Sequence, residues 1–234
     1  LTENNWIAKQ ILKKTTKIVV VSNFIKVKIE SKFGPSSIEV ISNSISKPTF
    51  LNKEKLDFEY IISVGRLVPL KQFDKLIESY SQSNLPKKNI HLLILGVGDE
   101  QAKLEQKIAN LKLESVVHLV GFKQNVLDYI LNAKFLVLSS QYEGFPMTIL
   151  EALSVGTPVV SFDCESGPNE MIHPNHNGIL VENQNFTELT HKMNIFVEDE
   201  ILYQNCKNNA ITSVAKFQSE VIVNQWLHVL NYGN

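Results

Sequence analysis

Cysteine is scarce: Cys164 and Cys206 are the only two in 234 residues, too few to brace a small disulfide scaffold, and a reduced state is expected for both. Neither sign of charge dominates. With 23 Lys and Arg against 24 Asp and Glu the net charge is −1, which excludes the broad basic footprint of a nucleic-acid binder. No run approaches the ~18 consecutive apolar residues of a membrane span, and Leu1-Thr-Glu-Asn-Asn is not a secretory signal. A cytoplasmic protein is therefore expected. Internal repeats and low-complexity tracts are absent. So is an initiator Met, and the expectation is an excerpt of a longer chain.

What is present is a globular composition, 44% hydrophobic, in a chain long enough to bury a substantial core. Short apolar runs alternate with amphipathic stretches. Strands are expected at Lys17–Ser22, Ile38–Ser42, Tyr60–Val64, His91–Leu95, Val116–Val120, Phe135–Ser139 and Pro158–Phe162. Helical patterns occupy Phe24–Phe33, Phe73–Ser81, Asp99–Leu111, Val126–Asn132 and Met147–Val155, and after Gly178–Glu182 the chain turns helical to its end. This alternation predicts an α/β fold, a doubly wound parallel sheet with C-terminal helices. Polar residues and Pro48 break the pattern between Asn43 and Asp57, so a domain boundary is expected there.

The most chemically pointed segment is Glu143-Gly-Phe-Pro-Met-Thr-Ile-Leu-Glu151, where an expected strand gives way to a helix. Pro146 suits the first helical position, and no Ser, Thr, Asp or Asn precedes it to cap the free N–H groups. A phosphate fits such a helix end. Glu143 then reaches a sugar beyond it and Glu151 a ribose. On spacing alone, two solvated carboxylates near a helix dipole account for the pattern equally well.

The segment resembles the signature of retaining, nucleotide-sugar-dependent glycosyltransferases of the two-Rossmann-domain (GT-B) type: Glu, seven residues, Glu, in a Glu-Gly-Phe-Pro context. The resemblance runs over nearly the whole chain. It implies the C-terminal, donor-binding half of such an enzyme, with residues 1–45 the tail of an N-terminal acceptor domain, 46–216 the nucleotide-sugar-binding unit and 217–234 a last helix, with Trp226, packing back across the cleft. Val20-Val-Ser-Asn-Phe-Ile25 looks like the acceptor-domain tail, although Ser42-Asn43-Ser44 stands where the family has Pro-Asn-Gly.

Other strand ends carry further parts. In Ser63-Val-Gly-Arg66-Leu-Val-Pro-Leu-Lys71, Gly65 permits close backbone approach, while Arg66 and Lys71 supply a fork and a point charge suited to a diphosphate. As an isolated pair they also read as ordinary solvated cations. Gln72 stands where the family often has Gly, so a differently shaped turn is expected. Gly96-Val-Gly98 opens like a dinucleotide fingerprint, but Gln101 occupies the third glycine position, which argues against a nicotinamide enzyme. A tight turn with Asp99 as helix N-cap explains it as well. The resemblance implies that the nucleotide lies against Gly96, that the base is read near Gly121 and Phe122, with uridine expected, and that Gly144, Phe145, Pro146, Met147 and Thr148 cradle phosphate. Glu143, Arg66 and Lys71 are the implied catalytic residues, and loss of Glu143 is expected to stop transfer with little change in UDP affinity. The Ser166-Gly-Pro-Asn-Glu170 pattern resembles that of members transferring galactose or N-acetylgalactosamine-type sugars.

No cofactor is expected. His173-Pro-Asn-His176 falls short of the three or four ligands zinc takes, and the lack of an Asp-x-Asp triplet fits the metal-independent chemistry of this architecture. Cys164 reads as a loop filler. The partners implied are a nucleotide-sugar donor, a glycan or lipid-linked acceptor and the missing N-terminal domain, with peripheral membrane association compatible with a lipid-linked acceptor and no role for nucleic acid. The fragment alone is expected to transfer nothing. Against this stand a non-catalytic nucleotide-sugar-binding module, a same-fold epimerase and, ranked lower, a glycoside hydrolase, which needs paired acids but no cationic clamp.

Overall fold

The structure, a computed structural model, describes residues 10, 14–34, 37–46 and 56–231. Part of the boundary expected over 43–57 lies outside the described residues. The first segment is β1 (Ile18–Val20), α1 (Asn23–Phe33) and β2 (Ile38–Val40), with β1 and β2 paired in parallel. The Ser22 hydroxyl caps α1 by accepting from the Ile25 N–H at 3.3 Å.

A second sheet holds β3 (Tyr60–Val64), β4 (His91–Leu95), β5 (Val117–Gly121), β6 (Leu136–Leu138), β7 (Val159–Phe162) and β8 (Gly178–Val181). Its order is β5-β4-β3-β6-β7-β8, parallel throughout. The runs that build it are apolar without alternation because both faces are covered: Ile61, Ile62, Leu92 and Ile94 are all fully buried. The last strand, Gly178–Val181, was not among those expected. Its run is short and opens on a glycine, which must be there because a Cβ would collide with the Val159 carbonyl of β7.

The crossovers are α2 (Phe73–Gln82), α3 (Gln101–Asn110), α4 (Val126–Asn132), α5 (Met147–Ser154) and α6 (Pro168–Met171), followed by α7 (Phe186–Glu198), α8 (Glu200–Ser213) and α9 (Ser219–Asn231). In α2 the residues Phe73, Leu76, Ile77 and Tyr80 form the buried stripe of an amphipathic helix. α2 packs on α3 and α7, and α5 on α4 and α8. Asp99 does not cap α3; Glu100 holds that position without a side-chain hydrogen bond. Just before α9 the chain meets the stretch that follows β2, where Ile45 donates its N–H to the Phe217 carbonyl at 2.8 Å. No helix among the described residues is long and apolar enough to cross a membrane.

The strand order locates the site. From β3 the chain steps outward to β4 and β5, then returns to lay β6 on the other side of β3. The loops after β3 and β6 therefore diverge from neighbouring strands, and such a switch point is where open α/β sheets bind ligands.

Candidate functional site

At the switch point the two loops are stitched together. Gln141 donates its N–H to the Leu70 carbonyl at 3.0 Å, and the Ser139 hydroxyl donates to the Lys71 carbonyl at 2.9 Å. This brings Lys71, after β3, against Glu143, after β6. Their Nζ–Oε1 distance is 2.6 Å, and the side chains are only 18% and 11% exposed. Two residues read separately from sequence thus form one ion pair, sheltered enough that removing either leaves a poorly solvated charge.

Gln72 follows Lys71 at φ 53° and ψ 37°, the left-handed region that glycine enters freely. A non-glycine residue holds that conformation at a cost in backbone energy. The side-chain amides of Gln184, at φ 66°, and Gln72 meet at 2.9 Å.

A cavity of about 290 Å³ lies at the carboxyl ends of β3 and β4, with Gly65, Arg66, Gly96, Phe122, Val126 and Glu151 among its walls. Phe122 is 71% exposed, an unusual setting for an aromatic ring and one that offers a flat apolar face. Glu151 also lines the cavity, and burial pushes its carboxyl above the usual range. Such a chamber suits a planar group carrying hydroxyls that can donate to Glu151. Lys71 and Glu143 stand outside its walls, so the structure sorts the implied residues into a cavity group and a switch-point pair.

The glycines here have a structural reason as well. A Cβ on Gly96, whose φ is 142°, would lie far inside contact with the Gly65 carbonyl oxygen, and one on Gly98 would strike the Leu67 carbonyl. The β4 loop is thus pressed onto the β3 loop, backbone to backbone.

Pro146 is not the first helical residue. It occupies the N-cap position of α5 at ψ 89°, with no side-chain cap, and the helix starts at Met147. The Pro146 ψ of 89° is not helical. The neighbouring loop packs tightly on it: Gly167, at φ 114°, comes so close that a Cβ there would lie 2.6 Å from the Pro146 Cδ. Gly144 is exposed, Met147 and Thr148 are half-buried on the first turn, and Phe145 turns its ring edge-on to Phe217 at 6.0 Å. Cys164 is buried and its thiol is pushed up to about 12, chiefly by desolvation, so it supplies no thiolate near neutral pH.

With this geometry in view, residues 46–213 match the family described as glycosyl transferases group 1. The chain belongs to that family. It is 29% identical over 225 residues to the amylovoran biosynthesis glycosyltransferase AmsD of Erwinia amylovora, covering 92% of this chain and 62% of that protein. It is likewise 29% identical over 219 residues to a poly(ribitol-phosphate) alpha-N-acetylglucosaminyltransferase of Staphylococcus aureus, covering 92% of this chain and 43% of that one. A variant of S. aureus TarM in complex with fondaparinux, alpha-GlcNAc-glycerol and UDP shares the fold at a TM-score of 0.88, with 26% identity over 99% of this chain and 47% of that one. The chain thus spans roughly half the length of these relatives.

In this group 1 chain the sequence reading missed the residues that join the site to the first segment. The Glu143 N–H donates to the Glu165 carbonyl at 3.1 Å, and the Ser166 hydroxyl donates to the Gly144 carbonyl at 2.6 Å. Glu170 accepts from the Asn23 backbone N–H at 2.9 Å and from the Asn23 amide at 3.2 Å. These partners are more than 20 residues apart in sequence, and only the Ser166-Gly-Pro turn chemistry hinted that this loop is special. Among the described residues no group of three or more His, Cys, Asp or Glu is arranged to hold a metal ion.

Proposed function

We propose that this chain is the donor-binding half of a retaining glycosyltransferase that moves a hexose or N-acetylhexosamine from a UDP-sugar to a glycan or lipid-linked acceptor held by a further domain. The observation that carries the reading is a cavity lined by Gly65, Phe122 and Glu151, with the Lys71 side chain of the Lys71–Glu143 pair packed against Gly65. Uracil stacks along the apolar wall, ribose hydroxyls donate to Glu151, and the diphosphate lies toward Arg66, Lys71 and the uncapped start of α5. As the glycosidic bond breaks, the leaving diphosphate gains charge, so the two cations stabilise the transition state more than the bound donor. Cations and a helix end stand in for Mg²⁺. Glu143 orients the sugar, and no protein nucleophile is required.

Retention is supported by the S. aureus relative, a poly(ribitol-phosphate) alpha-N-acetylglucosaminyltransferase: where a donor carries its sugar in the α configuration, forming an α linkage is retention. Action in the cytoplasm, at the membrane face where the acceptor is lipid-linked, belongs to the same proposal.

Two measurements test the nucleotide part. Isothermal titration with UDP, without Mg²⁺, is expected to show Arg66→Ala weakened by about 1–3 kcal/mol, the scale of a charge-assisted contact. Unchanged affinity removes Arg66 from the diphosphate. The second is a pH series. Because burial raises the Glu151 pKa and ribose hydroxyls bind the ionised carboxylate, UDP affinity falls as pH drops through that raised value. In Glu151→Gln this component disappears. A terminal phosphate that titrates near pH ~6 affects both proteins alike, so their difference isolates the carboxylate. Parallel profiles would show that Glu151 does not face the ribose.

A further inference from the structure

Ser22 is fully buried and Ser166 nearly so, and their hydroxyls meet at 2.8 Å although 144 positions separate them. Proton counting fixes the direction of the chain they form. Each hydroxyl has one proton, and that of Ser166 goes to the Gly144 carbonyl at 2.6 Å, so Ser22 must donate to Ser166. Ser22 in turn accepts from the Ile25 N–H in the first turn of α1. A one-way relay therefore runs from the helix of the first segment, through Ser166, to the peptide next to Glu143. Ser166 sustains it from φ 67°, a left-handed conformation that costs a non-glycine residue energy. Two further contacts seat the same helix on the same loop: the Glu170 clamp on Asn23 and the Lys28–Glu165 pair at 2.9 Å.

We infer that Ser166 is a positioning residue for the Glu143–Gly144 loop, and that Ser22 transmits to it the seating of the β1–α1–β2 segment. The segment lies outside the stretch that matches the family, so the sugar-facing carboxylate takes its register from a part of the chain that holds no donor group. The catalytic meaning of this coupling rests on the reading under Proposed function; the coupling itself does not.

The test compares Ser166→Gly and Ser22→Ala with the wild-type chain by hydrogen exchange. Glycine is at ease at φ 67°, so Ser166→Gly removes the hydroxyl without adding backbone strain. Exchange at residues 142–149 is expected to rise about tenfold in both variants, as for a loop whose opening becomes easier by one lost hydrogen bond. In the full-length protein, turnover is expected to fall by a similar factor with UDP affinity within about twofold of wild type. If Ser22 acts only as a helix cap, the increase in Ser22→Ala stays within residues 23–27 and the inference is overturned. It is equally overturned by wild-type turnover in Ser166→Gly. Failure of the wild-type chain to bind UDP would instead remove the proposed function, leaving the exchange result to decide the coupling.

Discussion

Replacing Glu143 by Gln is expected to cut sugar transfer by at least about 100-fold while tightening UDP binding about five- to tenfold, two effects of opposite sign from one removed charge. The loss follows from orientation: a carboxylate that fixes the sugar hydroxyls holds the anomeric carbon against its acceptor, and small misplacements at a reacting centre are costly. The gain follows from the ion pair. In the absence of donor, Lys71 is committed to Glu143 at 2.6 Å, so a diphosphate must compete with a sheltered carboxylate for that ammonium and also approach a like charge. Gln keeps the shape and a hydrogen-bond acceptor but ends the competition. The expectation drawn from sequence, that UDP affinity would barely change, is therefore revised by the geometry. Calorimetry with UDP and turnover of the full-length variant check both arms. Wild-type turnover would remove Glu143 from the sugar, and unchanged UDP affinity would show that Lys71 is not shared.

Much of the fold is legible because local physics carries it. The strands from Tyr60 to Phe162 are apolar runs with no alternation, as burial on both faces demands, and α2 displays its stripe at Phe73, Leu76, Ile77 and Tyr80. The candidate site is legible one strand end at a time. Arg66 and Glu143 follow recognisable runs, Glu151 sits on the helix that comes next, and a parallel sheet gathers all such strand ends on one edge.

What sequence does not reveal is which ends become neighbours. That Lys71 meets Glu143 depends on the strand order, which puts β6 beside β3 after an excursion through β4 and β5. Backbone proximity is hidden in the same way. Pro146 looks suited to the first helical position but holds the cap, nothing in the sequence shows that Gly167 packs against its ring, and Gln72 gives no sign that its backbone is left-handed. The Ser22–Ser166 contact is the extreme case: serines carry almost no pattern of their own, and their pairing exists only once the first segment is seated.

Gly96→Ala is the substitution expected to do most harm to the site without removing any side chain from it. Sequence read this glycine as room for a nucleotide, and the structure gives it a prior duty. Its new Cβ would strike the Gly65 carbonyl oxygen, a backbone atom held by the Gly65 N–H bond to Leu95 at 2.9 Å, so no flexible side chain can give way. Its φ of 142° is poorly tolerated by alanine in any case. Two penalties thus add at one position, and a cost of about 3 kcal/mol or more is expected. In a chain of this size that corresponds to a fall in Tm of about 6–12 °C. Relief requires the β3 and β4 loops to part, which carries Arg66 away from the cavity wall, so UDP binding is expected to be lost even below the lowered Tm. The control is Gly144→Ala. Nothing lies within 4 Å of a Cβ there, so that chain should melt near wild type. Thermal melts and UDP titration of both variants decide the matter: if Gly96→Ala matched Gly144→Ala in Tm, the tight apposition of the two loops, and with it the shape assigned to the cavity, would be wrong.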